Sequence, residues 1–377
     1  MIKRPFWIKK IEQGWLQRPI VWLSGVRRVG KTTIANMFSD AKYLNCDLPS
    51  VARRLEDPET FYGSLNNESI VIFDEIHRLA DPSSLLKIGA DVFPDLKILA
   101  TGSSTLAATK KFRDSLTGRK FSIYLTPVLW NECVTHFEIK DLDKRLLHGG
   151  LPETLLSKKK EPSFFSEWID SFYARDIQEL FSVRNRTGFI QLLHLLLRQS
   201  AGLIDFTQLA KLSGLSRPTV KAHVEAMTIA HAVFLLPPFH GGGRREITRK
   251  PKCYAFDTGF VSFIKGWDSI REDDRGLLWE HLVLDTLRTI EHENNLFFWR
   301  DKSGREIDFV IKKDRHNVEA FECKVNPANF SLKTLKVFRE TYPHGRNICI
   351  SPNISESYRI RKENLLVEFH SLQTLLI

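Results

Sequence analysis

The stretch IVWLSGVRRVGKTTIANMF, residues 20–38, limits what this chain can fold into more than any other. Residues 20–23 are a short apolar run that predicts a buried strand. Gly25 to Thr32 follows as G-x-x-x-x-G-K-T, and the next residues predict a helix. Glycines at those places let backbone N–H groups turn inward around an anion. The helix then points the positive end of its dipole at the same spot. The loop residues Gly25, Val26, Arg27, Arg28, Val29, Gly30, Lys31, Thr32 and Thr33 are the expected phosphate cradle. Lys31 would reach the β- and γ-phosphates of ATP, and the Thr32 hydroxyl would hold Mg2+.

A loop of this kind needs an apolar strand ending in acids beside it. SIVIFDEIHRL supplies one, with Asp74 and Glu75 at the end of the apolar run from Ile70 to Phe73. Strand ends of this sort are where doubly wound sheets place ligands. Asp74 is the expected second metal ligand. Glu75 is the expected catalytic base, polarising the attacking water. The next apolar run, LKILATGSS, ends in Thr101, Ser103 and Ser104, which stand either near the γ-phosphate or in a simple turn.

Composition narrows the partners. Fifty-five lysines and arginines against 45 acids give a formal charge of +10, which favours an anionic partner such as DNA. The five cysteines are scattered without a CxxC pair, as expected for reduced thiols in a cytoplasmic protein. No apolar run is long enough to span a bilayer, so no membrane role is expected. The N-terminal residues have no apolar core of the kind a signal peptide needs.

With RDSLTGRKFSIYLTPVLWNE, residues 113–132, a family resemblance emerges. The chain resembles the archaeal and bacterial AAA-type ATPases that carry a C-terminal domain of unknown function. Leu116-Thr117-Gly118-Arg119 is similar to that family's LaGR segment. Pro127 and Glu132 match its PLS..E segment, with Leu129 where serine is usual. The resemblance implies that Arg119 is a finger reaching the γ-phosphate of a neighbouring copy, with Arg113 as runner-up, and hence a homo-oligomer. GGLPETLL at 149–156 and YARDIQEL at 173–180 also match the family pattern. So does KPKCYAFDTG, through Pro251, Lys252, Tyr254, Asp257 and Gly259, a signature to which no chemistry attaches at this point. The resemblance runs from about residue 3 to about residue 330.

Residues 204–227 predict a helix-turn-helix. Phe206, Leu209, Ala210 and Leu212 form one apolar face, Gly214 the turn, and Ser216 the cap of the second helix. Val220, Val224 and Met227 face the core, which leaves Arg217, Thr219, Lys221 and His223 to meet DNA. Two strands joined by HGGGRRE complete a winged helix. Its wing would carry Arg244, Arg245, Arg249, Lys250 and Lys252. The alternative use of such a module is protein packing alone.

After residue 270 comes an amphipathic helix, then REIDFVIKKDRHNVEAFECKV at 305–325. A helix followed by two apolar strands bearing acids is the layout of the PD-(D/E)xK nucleases. Asp308 sits within one strand. Glu322 and Lys324 lie two apart on the next, so they share a face. In that chemistry Asp308 and Glu322 hold the metal, Lys324 acts as base or stabiliser, and Glu280 is an auxiliary catalytic ligand. Two readings stand: a working metal nuclease, or a relic that binds DNA or metal without cutting. The expected architecture is α/β throughout: a P-loop AAA-type ATPase domain at 1–135, a helical linker at 136–200, a winged helix at 201–262 and a PD-(D/E)xK nuclease-like domain at 263–377.

Overall fold

The computed structural model describes residues 2–65, 69–102, 106, 110–178, 181, 183, 185–241 and 250–375, with the backbone alone at Lys110 and Arg113. The N-terminal sheet has five parallel strands: β1 (Ile20–Ser24), β2 (Lys42–Asn45), β3 (Ile70–Asp74), β4 (Lys97–Thr101) and β5 (Lys120–Tyr124). Their order is β2-β3-β4-β1-β5. All five residues of β1 are buried, because helices cover both faces of a parallel sheet. The order also sets the acids of β3 close to the loop that leaves β1. Gly30 caps the helix Lys31–Ala35 with φ at +103°, a conformation that side chains with a Cβ rarely adopt.

Arg4 and Glu132 anchor this unit. Both are buried, and two guanidinium nitrogens of Arg4 donate to the two carboxylate oxygens of Glu132 at 2.9 and 2.7 Å. Arg4 also donates to the carbonyls of Val29 and Thr126. Glu132 in turn accepts the Leu129 N–H at 3.0 Å at the start of the helix Trp130–Thr135. The serine expected at position 129 is therefore not needed to hold the acid. The acid reaches back to the backbone unaided.

The middle of the chain is helical up to residue 198 and includes a π-helical stretch, Tyr173–Gln178. The helices Phe206–Ser213 and Arg217–Ile229 form the expected helix-turn-helix. Gly214 lies at φ +67°, and the Ser216 hydroxyl accepts the Thr219 N–H. They pack beside a small antiparallel sheet of β6 (Gly202–Leu203), β7 (Val233–Leu236) and β8 (Lys252–Ala255), ordered β6-β8-β7.

Three side chains depart from expectation here. His223 is buried against Phe189, since it stands three residues after Val220 and shares the core stripe. Leu212 is exposed, because Ser213, four residues after Leu209, takes the inward place. Lys252 is buried inside the protein rather than displayed on a wing, because β8 is the central strand of its sheet.

The helix Glu272–Ile290 leads into a six-stranded sheet of order β13-β14-β12-β11-β10-β9. β9 (Leu296–Arg300), β10 (Glu306–Lys312) and β11 (Val318–Cys323) form an antiparallel meander. The helix Leu332–Thr341 then crosses to β12 (Asn347–Ile350), parallel to β11. β13 (Tyr358–Lys362) and β14 (Leu365–His370) finish the edge. The helix Glu272–Ile290 is not amphipathic in its setting. From Leu278 to Leu287 every residue except Glu280 is buried, because the helix is packed between the middle of the chain and this sheet. One apolar cluster runs unbroken from Trp7 through Trp168 and Phe256 to Leu282 and Phe309. No described helix is long and apolar enough to cross a membrane.

Two predictions follow from these buried charges. Arg4→Met strands a carboxylate in the core and should cost about 3–5 kcal/mol in urea unfolding. The double variant Arg4→Met/Glu132→Leu should recover most of that loss. Burial pushes the Asp285 carboxyl up to about 7, against the pull of Arg145 and Arg288. The folded state then holds a proton that the unfolded chain has released, so stability falls as pH rises from about 4 to about 7. Asp285→Asn should flatten that slope, and unfolding curves at pH 5 and 8 measure it.

Candidate functional site

The carboxylate of Asp74 is the meeting point of the N-terminal site. The Thr32 hydroxyl donates to its Oδ2 at 2.8 Å and the Tyr43 hydroxyl to the same atom at 2.7 Å. The Thr101 hydroxyl donates to Oδ1 and accepts the Glu75 N–H at 3.0 Å. Thr101 thus joins the acid pair, while Ser103 and Ser104 lie outside the described residues. Thr32 and Asp74 stand side by side as an oxygen pair suited to a hard cation, so these residues fit Mg2+. Glu75 has φ +55°, a left-handed conformation costly for a residue with a side chain and typical of functional sites.

Lys31 is buried, and its ammonium donates to the Gly25 and Val26 carbonyls at 2.9 and 3.2 Å. Burial lowers its pKa, while Glu75, Asp176 and Asp74 pull it back. Burial raises the pKa of Glu75, with Lys31 opposing. His77 Nδ1 lies 3.2 Å from the Glu75 carboxylate. Burial lowers His77 to about 4, so at neutral pH the ring beside this acid is uncharged.

A cavity of about 580 Å³ opens over the loop, lined by Gly25 to Arg28 and Gly30 to Thr33 together with Glu75, His77 and, from the middle of the chain, Pro152, Glu153, Arg175 and Asp176. Arg27 pairs with Asp176, and the Trp168 indole donates to the Arg27 carbonyl at 3.1 Å. Pro152 and Glu153 of GGLPETLL and Arg175 and Asp176 of YARDIQEL, segments read from sequence only as a family pattern, are therefore walls of the cavity. Their polar residues within apolar surroundings were the available signal. Tyr43 carried none, since tyrosine at the end of a strand is ordinary.

Arg119 lies elsewhere. Its carbonyl accepts the Ile20 N–H at the start of β1, whereas the phosphate loop leaves the other end of that strand. Its guanidinium holds both oxygens of Asp91 at 2.6 and 2.9 Å. It does not face the cavity of its own chain. The Arg113 side chain lies outside the described residues.

The C-terminal residues do come together. The Lys324 ammonium lies 2.8 Å from Glu322 and 3.8 Å from Asp308, and Asp308 accepts the Cys323 N–H at 2.7 Å. Burial, with Asp308 adding to it, raises Glu322 to about 8. Glu280 has other partners: Lys252 Nζ donates to it at 2.9 Å, and so does the Tyr254 hydroxyl. Burial raises Glu280 to about 7 against the pull of Lys252. Lys252 also meets Glu306 at 2.5 Å, and Arg300 takes the other Glu306 oxygen at 3.0 Å. Among the described residues no three carboxylate, imidazole or thiol groups gather closely enough to hold a metal ion. As it stands, lysine ammoniums occupy positions beside these acids.

On the helix-turn-helix, Arg217 and Lys221 are exposed, and Thr219 shares a hydrogen bond with Ser216. Lys250 pairs with Asp205 at 2.7 Å. Arg244, Arg245 and Arg249 lie outside the described residues.

Comparison with known proteins bears on the domain that holds the first of these sites. Residues 17–134 match a family described as AAA domain. This part of the chain is an AAA-type P-loop ATPase domain. Residues 139–271 and 275–372 match two families described as domains of unknown function, DUF8612 and DUF4143. Among curated proteins, the uncharacterized protein Rv2008c of Mycobacterium tuberculosis is 26% identical over 324 residues, covering 83% of this chain and 72% of that protein. The uncharacterized protein MJ1544 of Methanocaldococcus jannaschii is 26% identical over 344 residues, covering 80% and 74%. Among solved structures, the Walker-type ATPase of Pyrococcus abyssi aligns at 16% identity with a TM-score of 0.45, covering 70% of this chain and 96% of that one.

Arg175 is exposed at the cavity wall, where an anion would sit. Arg175→Ala should weaken binding of a fluorescent ATP analogue about tenfold, the scale of one charge-assisted hydrogen bond. The melting temperature should stay where it was.

Proposed function

We propose that this protein binds ATP with Mg2+ and hydrolyses it, and that the nucleotide state acts on a DNA-binding winged helix and a nuclease-like C-terminal domain. The observation that carries the ATPase reading is the convergence of the Thr32, Tyr43 and Thr101 hydroxyls on Asp74 beside a glycine loop. Thr32 and Asp74 would hold the magnesium ion, which neutralises charge on the β- and γ-phosphates. Lys31 would exchange the Gly25 and Val26 carbonyls for phosphate oxygens. Glu75 would accept the proton of the attacking water as its oxygen bonds the γ-phosphorus and the bond from that phosphorus to the β,γ-bridging oxygen breaks, with ADP as the leaving group. Arg119, directed away from its own cavity, would serve a neighbouring copy in a homo-oligomer.

The DNA reading rests on exposed Arg217 and Lys221 and on the charge of +10. For the C-terminal domain, the strand order and the meeting of Asp308, Glu322 and Lys324 support the nuclease-like fold. One observation favours a domain that binds DNA without cutting it: lysine ammoniums already engage all three acids, Glu280, Asp308 and Glu322.

Steady-state ATP turnover with and without DNA tests these readings. Lys31→Ala should abolish nucleotide binding. Glu75→Gln should keep binding and slow turnover by about 10²–10⁴-fold. Arg217→Ala/Lys221→Ala should weaken DNA binding and reduce its dependence on salt. ATP turnover unaffected in Glu75→Gln would remove the hydrolytic role. Magnesium-dependent DNA cleavage that disappears in Lys324→Ala would restore the working-nuclease reading.

A further inference from the structure

Lys252 and Tyr254 belong to the segment KPKCYAFDTG, which none of the chemistry above uses. They stand two apart on β8 and so share a face. That face is turned toward the C-terminal sheet. The Lys252 side chain is 4% exposed, with its ammonium 2.9 Å from Glu280 and 2.5 Å from Glu306. The Tyr254 hydroxyl donates to the same Glu280 oxygen. The two acidic partners come from two different elements: Glu280 from the helix Glu272–Ile290 and Glu306 from the start of β10. A lysine so nearly out of water is costly unless its charge is matched, and here two carboxylates match it.

We propose that Lys252 is the built-in cation of the C-terminal carboxylate cluster. Its ammonium takes the place beside Glu280 that a divalent ion would need, and β8 is an obligatory part of the cluster. The inference rests on reading Glu280, Asp308 and Glu322 as one cluster. It is independent of whether DNA is cut. Lys252 acts here as a positioning residue: with Tyr254 it fixes where Glu280 points and sets the charge that Glu280 sees. Lys324 does the corresponding work for Asp308 and Glu322. An ammonium differs from a divalent ion in carrying one charge and in keeping oxygens at hydrogen-bond distance, so an ion bound at Glu280 Oε1 would have to displace Lys252.

The test is Mn2+ binding by the full chain, without nucleotide or DNA, followed by the electron paramagnetic resonance signal of free Mn2+. In the native chain, Glu280→Gln should leave the binding curve unchanged. Lys252→Met should gain about one ion per chain, bound at least tenfold more tightly than any in the native protein. Lys252→Met/Glu280→Gln should lose that ion again, and Lys252→Arg should behave as the native chain does. A structural role alone would lower the melting temperature of Lys252→Met without creating an ion site whose loss follows Glu280. Native Mn2+ binding that weakens tenfold in Glu280→Gln would overturn the proposal, as would a folded Lys252→Met that gains no ion. If Lys252→Met does not fold, the comparison of the native chain with Glu280→Gln decides by itself. Because no DNA is present, failure here is separable from failure of the nuclease-like reading, which the cleavage assay addresses.

Discussion

The arrangement of the N-terminal domain hangs on one carboxylate. Asp74 takes hydroxyl hydrogens from the helix after β1, from β2 and from the end of β4. These elements reach it because strands in a parallel sheet all end on the same side, and the order β2-β3-β4-β1-β5 puts β3 near the centre. A buried acid with three hydroxyl donors fixes the relative heights of those elements without needing a ligand. The phosphate loop is thus preorganised by protein groups, which lowers the ordering cost of binding. Strain at Glu75 belongs to the same design. The next residue must leave the strand sharply, and the Thr101 hydroxyl holds its N–H in that pose.

The middle of the chain is wired to both ends. Asp176 and Trp168 grip Arg27 on the phosphate loop. The Gly150 N–H donates to Asp257, which also caps the helix Thr258–Ile264. Gly149 permits that approach: its φ is +83°, and a Cβ there would lie 1.9 Å from the Asp257 carboxylate. Asp257 closes the same short segment that begins with Lys252. One end of this segment abuts the loop leading to Pro152 and Glu153 in the cavity wall, and the other end holds Glu280. The family signature that carried no chemistry in the sequence is explained by these contacts between parts of the chain.

The local chemistry was legible where it depends on neighbours in sequence. The G-x-x-x-x-G-K-T loop, the acids closing an apolar strand, the Ser216 cap and the Glu-x-Lys face of β11 all follow from short-range periodicity and turn chemistry. What depended on distant partners was not legible. His223 was assigned to the surface by its polarity, although its spacing from Val220 placed it in the core. Lys252 was assigned to a wing because it follows Lys250 in a basic run, and nothing local announces that two carboxylates await it. Arg175 and Asp176 lie in a helical pattern, and only the folding of that region over the phosphate loop turns them into cavity residues. Tertiary charge pairing has no period, and that is why sequence reading passes over it.

The two family matches in the second part of the chain end at residue 271 and begin at residue 275. The positive charge that Glu280 needs stands 28 positions upstream, inside the other match. The boundary between the two matches therefore runs through a charge pair. A recombination event that exchanged the last hundred or so residues alone would hand a buried acid to a strand chosen without regard to it. In such a graft the acid keeps its partners when the recipient carries a lysine and a tyrosine, two apart, at the seam.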